Sequence, residues 1–324
     1  MGGMTDDRKA VMVAAALLAV YVFWGGTYLA IRFAVETIPP FFMAGARFIL
    51  AGALLYGAAR YSGAAVPTRE HWQGAGCVGL LLLAGGNGCV VFAAQMVPSG
   101  LVALLVATSP LWMVLMNWLW LKAAKPSGMV WAGVALGLIG IGVLAGGESA
   151  LLGASAVSPA GAAILTVGAV SWAVGSIYTR KAALPDSAAM ATAVEMLVGG
   201  GALMLLGLAA GEWGRFDPAG ITAKSAFSFL YLVLFGSLVG FSAYVWVLQN
   251  ASPVLVSTYA YVNPVVAVLL GAVLGGEALS GRILVSALVI VASVVMLTAG
   301  QLRQKPARKG AGRLPTGKAC MEDV

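Results

Sequence analysis

Leu101 to Trp118 reads LVALLVATSPLWMVLMNW, and the phrase returns at Leu255 to Ala272 as LVSTYAYVNPVVAVLLGA. At an offset of 154 residues Leu101 meets Leu255, Val102 meets Val256, Pro110 meets Pro264, Val114 meets Val268 and Leu115 meets Leu269. Self-similarity at a fixed offset marks an internal duplication. Both copies are too apolar for water, and each has a proline at its centre. Proline has no N–H to donate, so the carbonyls of Val106 and Ala260, four residues back, lose their helical donors. At bilayer depth such a carbonyl is tolerated only against protein or a wet cavity. Matched broken helices in the two halves of a membrane chain point to a transport site between the halves.

Composition agrees. The chain has 324 residues, 60% apolar and 10% charged, with a mean hydropathy of +0.94, which leaves too little polar surface for a soluble globule. Its net charge of +7 is concentrated in a tail holding Arg303, Lys305, Arg308, Lys309, Arg313 and Lys318, which reads as disordered and as a cytoplasmic topology anchor rather than a nucleic-acid surface. Cys77 and Cys89 share one helix about 18 Å apart, and Cys320 lies in the tail, so no disulfide framework is expected. Arg8 and Lys9 precede an apolar run without a small-residue cleavage site, which reads as an uncleaved first helix.

Apolar runs between breaks give ten spans: 11–34, 41–60, 72–96, 99–122, 128–146, 158–180, 187–211, 224–248, 253–275 and 281–301. With the N-terminus inside, the cytoplasmic segments carry Arg8, Lys9, Arg60, Arg69, Lys122, Lys125, Arg180, Lys181 and the six tail cations. The outer loops carry only Arg215, Lys224 and Arg282. That bias places both termini in the cytoplasm. The repeat extends further, with Trp24 meeting Trp172 and Arg32 meeting Arg180 at offset 148, and Gln95 meeting Gln249 at offset 154. Five spans per half force the second copy to enter upside down. The expectation is an all-α membrane protein of ten transmembrane helices in two inverted five-helix repeats. Its parts are a cytoplasmic N-tail (1–10), a first repeat (11–146), an outer linker (147–157), a second repeat (158–301) and a basic tail (302–324).

The phrases FWGGTYLAIRFA, LLVATSPLWM and AYVNPVVAVLLG, with Gly275 to Glu277 reading Gly-Gly-Glu, resemble the EamA-type transporters of the drug/metabolite transporter superfamily over about residues 11 to 300. The resemblance implies a basket-like bundle exporting amino acids or related metabolites from bacteria, similar to the YddG-type aromatic amino-acid exporters. One departure stands out: after the fourth span the chain reads Lys122-Ala123 where the second half has Gly276-Glu277.

Trp24, Tyr28 and Arg32 recur every four residues and share a helix face, as do Trp172, Ser176 and Arg180. Two indoles related by a pseudo-axis can stack on a substrate ring; the alternative is core or interfacial packing. Arg32 and Arg180 lie near the surfaces and read as snorkelling. Phe92 with Gln95, and Trp246 with Gln249, are three residues apart; neutral amides suit a zwitterion or simply bond across helices. Asn87 lies deeper and is the better ligand. In the ninth span Ser257, Thr258, Tyr259, Tyr261 and Asn263 precede Pro264, a density of polar groups that lipid rejects, and the face carrying Thr258 and Tyr261 is expected to look into a cavity. Tyr244 and Trp112 are weaker additions.

Arg47 and Glu195, 148 apart, are the ionisable residues within spans. Glu195 is the candidate proton-coupling carboxylate. Arg47 is the candidate for steering a substrate carboxylate or closing an outer gate, and structural fixing is the alternative for both. Pro110 and Pro264 read as hinges. Gly133/Gly137, Gly236/Gly240 and Gly271/Gly275 have spacing for close helix approach. No phosphate loop, zinc spacing or Ser-His-Asp set appears, so neither cofactor nor metal is expected, and the sole histidine, His71, lies at a loop edge.

The reading is therefore not an enzyme but an inner-membrane exporter of small metabolites, foremost aromatic amino acids, working by alternating access. Its expected partners are a small-molecule substrate and the lipid bilayer, with no nucleic acid, as a monomer or homodimer. Two alternatives stand beside it: export of hydrophobic or cationic drugs, and a membrane-embedded lipid-modifying enzyme, which would need more intramembrane carboxylates than Glu195.

Overall fold

A computed structural model describes residues 6–121, 125–145, 158–179, 181–251 and 258–303. The outer linker, Lys122, Ala123, Arg180, Ser257 and the tail after Arg303 lie outside them, as do the side chains of Gln249 and Tyr261. The regular structure of the described residues is helical, and they contain no strand. Among the described residues seven helices are long and apolar enough to cross a membrane, and shorter apolar helices occupy Gly128–Gly140, Val262–Gly275 and Gly281–Leu297.

In chain order the helices are α1 (Asp6–Ala34), α2 (Pro40–Tyr61), α3 (Arg69–Gly79), α4 (Gly88–Ala93), α5 (Ser99–Val106), α6 (Ser109–Leu121), α7 (Gly128–Ala145), α8 (Pro159–Tyr178), α9 (Ala188–Ala209), α10 (Ala223–Tyr231), α11 (Gly240–Asn250), α12 (Tyr259–Gly275) and α13 (Gly281–Arg303). Helix starts follow local chemistry. Ser158, Ser187 and Thr222 each accept the N–H three residues on. Thr68 and His71 cap one another reciprocally at 3.3 Å, which gives the lone histidine a structural task.

Two π-helical segments interrupt this pattern. Leu80–Asn87 joins α3 to α4, and Leu232–Val239 joins α10 to α11, eight residues each. Such wide turns leave carbonyls off the regular ladder and gather at functional sites. Here Leu81 O accepts from Ser171 Oγ at 2.7 Å, and Gly236 O accepts from Trp24 Nε1 at 3.1 Å.

Helices approach where side chains vanish. α2 packs along α9, and α7 along α13. A Cβ on Gly45 would stand 2.9 Å from Met204 N, and one on Gly200 3.0 Å from Gly45 O. Gly133 and Gly137 face Leu297 and Ser293 in the same way, so their spacing does serve close approach. α1 packs against α11 and α12, while α8 packs against the first π segment and α6.

The prolines act unequally. At Pro110 the span breaks into α5 and α6, and the freed carbonyl of Val106 accepts the Ser109 hydroxyl at 2.6 Å. Pro264 lies inside α12, which runs on past it, and residues 252–257 ahead of that helix lie outside the described residues.

Candidate functional site

Where α1, α2, α4, α5, α6, α8, α11, α12 and the first π segment meet, they line a cavity of about 110 Å³, several times the space one water requires. One wall is aromatic. Trp24 lies 4.9 Å from Tyr244, 5.3 Å from Phe241 and 5.6 Å from Tyr259, the latter two edge-on. Trp172 closes the opposite side against Gly86, where a Cβ would come within 3.0 Å of its ring. Gly240 does the same for Trp24, with an added Cβ at 2.4 Å from Nε1. Each indole thus rests on a glycine of the other half of the chain.

Polar groups are few and incompletely paired. Arg47 is 3% exposed; its Nε donates to Ser237 Oγ at 2.8 Å and its Cζ lies 4.7 Å from the centre of the Phe48 ring. Its Nη1 has no partner, and neither do Asn87 Oδ1 and Asn263 Oδ1. All three residues line the cavity. Buried polar atoms in a folded protein are nearly always bonded, so three orphans around one void mark a place built for something polar.

The sequence-predicted residues divide. Trp24, Tyr28, Asn87, Trp172, Asn263, Pro110, Pro264 and Arg47 are gathered around the cavity. Tyr244 stands behind Trp24 and Tyr259 as backing, in T-shaped contact with Tyr259 at 5.5 Å. Phe92 is elsewhere, stacked on Phe41 at 5.7 Å, and Gln95 is exposed and bonds its own helix at Phe92 O. Trp246 packs in a separate cluster around Val13, Leu17 and Val247. Thr258 precedes the first turn of α12 and hydrogen-bonds Tyr21; the described residues of α12 that line the cavity are Tyr259, Ala260, Asn263 and Pro264, and the Tyr261 side chain lies outside the described residues. Trp112 packs against Leu111 and its neighbours. Glu195 lies beside α3, where a Cβ on Gly79 would fall 2.2 Å from its carbonyl; it does not line the cavity.

Thr27, Ser109 and Phe241 line the cavity without having been singled out. The repeat was the available signal: Asn87 maps onto Phe241 and Ser109 onto Asn263 at the same offset of 154 that relates the prolines.

One end of the bundle is tied together. Gly276, at φ 62°, turns the chain in the left-handed conformation after α12, and Glu277 N–H returns to Gly271 O at 3.0 Å. This aims the Glu277 carboxylate at the start of α5. It accepts from Ser99 N and Ser99 Oγ, each at 2.7 Å, from Gly100 N at 3.1 Å, and from Arg32 Nη1 at 2.6 Å. Gly271 leaves it room, since a Cβ there would stand 2.5 Å from Oε2. At the same end Glu212 accepts from Phe41 N and Phe42 N at the start of α2, and Lys224 pairs with Glu36. Arg32 is therefore an ion-pair partner and not a free snorkelling cation.

Apolar spans around a small central site with unpaired polar groups define a multi-pass membrane transporter for small molecules. The chain belongs to the EamA-like transporter family, whose profile matches residues 11–146 and 159–299. It is 43% identical over 266 residues to the uncharacterized inner membrane transporter YedA of Escherichia coli (strain K12), covering 82% of this chain and 83% of that protein. It is 25% identical over 278 residues to the uncharacterized transporter YvbV of Bacillus subtilis (strain 168), covering 84% and 86%. A solved structure 21% identical superposes with a TM-score of 0.59 over 92% of this chain and all of the other, a likeness of fold alone. The protein is a transporter of a bacterial inner membrane and not an enzyme.

Proposed function

We propose that this protein exports small metabolites, foremost aromatic amino acids, by alternating access around the central cavity. The observation that carries the reading is the cavity itself, bordered by equivalent residues of both halves: Trp24 and Trp172, Asn87 and Phe241, Ser109 and Asn263, Pro110 and Pro264. The reciprocal pairings of α1 with α11 and α12, and of α8 with the first π segment and α6, support ten spans in two inverted repeats, 11–146 and 158–301. In that topology both termini are cytoplasmic and the end tied by Glu277 faces outward, so the described state is closed outside. Substrate-binding roles go to Trp24, Tyr28, Asn87, Trp172 and Asn263, with Tyr244 as backing. Pro110, where the span breaks, is the hinge with the clearest structural support, and Glu195 is the carboxylate for proton coupling.

The test is counterflow of labelled phenylalanine and tryptophan in proteoliposomes. Saturable exchange that falls at least about tenfold in Trp172→Ala supports the reading, since burying an aromatic ring is worth ~1.5–3 kcal/mol. Absence of flux for every amino acid in a full panel refutes it.

A further inference from the structure

We propose that Arg47 is the anion anchor of the cavity, and that the molecule carried is a monocarboxylate with an apolar body. This rests on the reading of the cavity as the transport site and deepens it to a substrate class. Arg47 brings the only formal charge among the described residues that line the cavity, and none of those residues is acidic. A guanidinium at bilayer depth without a counter-charge is expensive, so such cations pair or mark a substrate path. Here Ser237 holds Nε at 2.8 Å and Phe48 covers one face, which fixes the plane and leaves Nη1 unpartnered. The backbone makes room for the fork: at Gly236 an added Cβ would stand 3.1 Å from Nη2 and 2.9 Å from Thr27 Cγ2.

The charge count selects among ligands. One guanidinium matches one carboxylate in a charge-assisted pair, whereas a phosphate dianion calls for further cations that the lining lacks. An organic cation beside Arg47 would meet like-charge repulsion in a low dielectric with no carboxylate to offset it. The aromatic wall of Trp24, Phe241 and Tyr259 takes the apolar body. Asn87 and Asn263 accept from an N–H donor where the ligand has one, which admits a zwitterionic amino acid and does not require it.

Three probes with the same ring separate these terms: 3-phenylpropanoate, L-phenylalanine and phenethylamine. Their binding to the purified full-length protein is followed by quenching of indole fluorescence in a buffer of low ionic strength, because any anion in excess would compete for the guanidinium. Both carboxylates are expected to bind at least about tenfold more tightly than phenethylamine. Arg47→Gln is expected to lose about 10- to 100-fold of the carboxylate affinity, the range for a hydrogen bond to a charged group. Arg47→Lys recovers part of it, and Ser237→Ala, which frees the guanidinium without removing its charge, loses a few fold. Phenethylamine binding as tightly as 3-phenylpropanoate, or carboxylate affinity unchanged in Arg47→Gln, overturns the anchor while leaving the transport site standing. Failure of all three probes to bind while another amino acid of the panel moves overturns the anchor alone, and absence of flux for the whole panel refutes the transport site and the anchor with it. Should Arg47→Gln not fold, the ranking of probes on the unmodified protein decides alone.

Discussion

Arg32 and Glu277, 245 residues apart in sequence, meet at 2.6 Å, and the same carboxylate oxygen accepts both donors of Ser99 at 2.7 Å. This one side chain joins the end of α1, the start of α5 and the turn after α12. The Glu277 side chain is 9% exposed, so solvent screens these bonds poorly.

Glu277→Gln is therefore expected to destabilise the protein by about 1–3 kcal/mol, the scale for a buried charge-assisted bond. It should also loosen the closed end. In a background lacking Cys77, Cys89 and Cys320, a cysteine placed at Ala103, which lines the cavity, should be labelled faster from outside when Glu277 is Gln than when it is intact. Equal labelling rates would count against Glu277 as a latch.

The Lys224–Glu36 pair at the same end is a contrasting case, with side chains 51% and 41% exposed. Lys224→Ala is expected to change thermal stability by at most about 1 kcal/mol, since exposed ion pairs contribute little. The ratio between the two variants, read by thermal unfolding in one detergent, tests burial as the deciding factor.

Close helix approach predicts an order among glycine variants. Gly79→Ala places a Cβ 2.2 Å from the Glu195 carbonyl oxygen, a backbone atom that cannot swing aside, and should cost about 3 kcal/mol or prevent folding. Gly57→Ala meets nothing within 4 Å and should be neutral or stabilising by up to about 1 kcal/mol, the helix preference of alanine. Thermal unfolding and expression yield rank the two.

Gly240→Ala is expected to abolish transport more completely than Gly86→Ala. The first drives a methyl to 2.4 Å from Trp24 Nε1 and disrupts the bond to Gly236, whereas the second meets the Trp172 ring at 3.0 Å, where a small shift suffices. Counterflow rates in matched proteoliposomes measure the difference.

Glu195→Gln should leave phenylalanine affinity within about twofold, because Glu195 lies outside the cavity lining. If Glu195 couples flux to protons, the same variant loses the response of flux to an imposed pH gradient. Loss of binding without loss of that response would reverse the assignment.

Hydropathy made the spans legible, because lipid demands long apolar helices wherever the chain crosses. The repeat made the centre legible: Trp24, Trp172, Pro110, Pro264 and Asn263 all surround the void. What stayed hidden was rotation about each helix axis. A three-residue spacing puts Phe92 and Gln95 on one face, yet the π segment just before them sets where that face points, and it points at Phe41. In α12, the helix starting at Tyr259 left Thr258 to Tyr21. Side-chain composition also gave no sign of which carboxylate was structural: Glu277 ties three helices, and its role follows from the left-handed turn at Gly276.

The carboxylate that follows α12 has no twin in the first half, where the corresponding pair is Lys122-Ala123. Under the alternating access proposed above, a tie carried by only one of the two repeats makes the two resting poses unequal, and that inequality decides which half of the cycle limits turnover. For a solute moving without a driving ion, the final distribution still follows its own gradient.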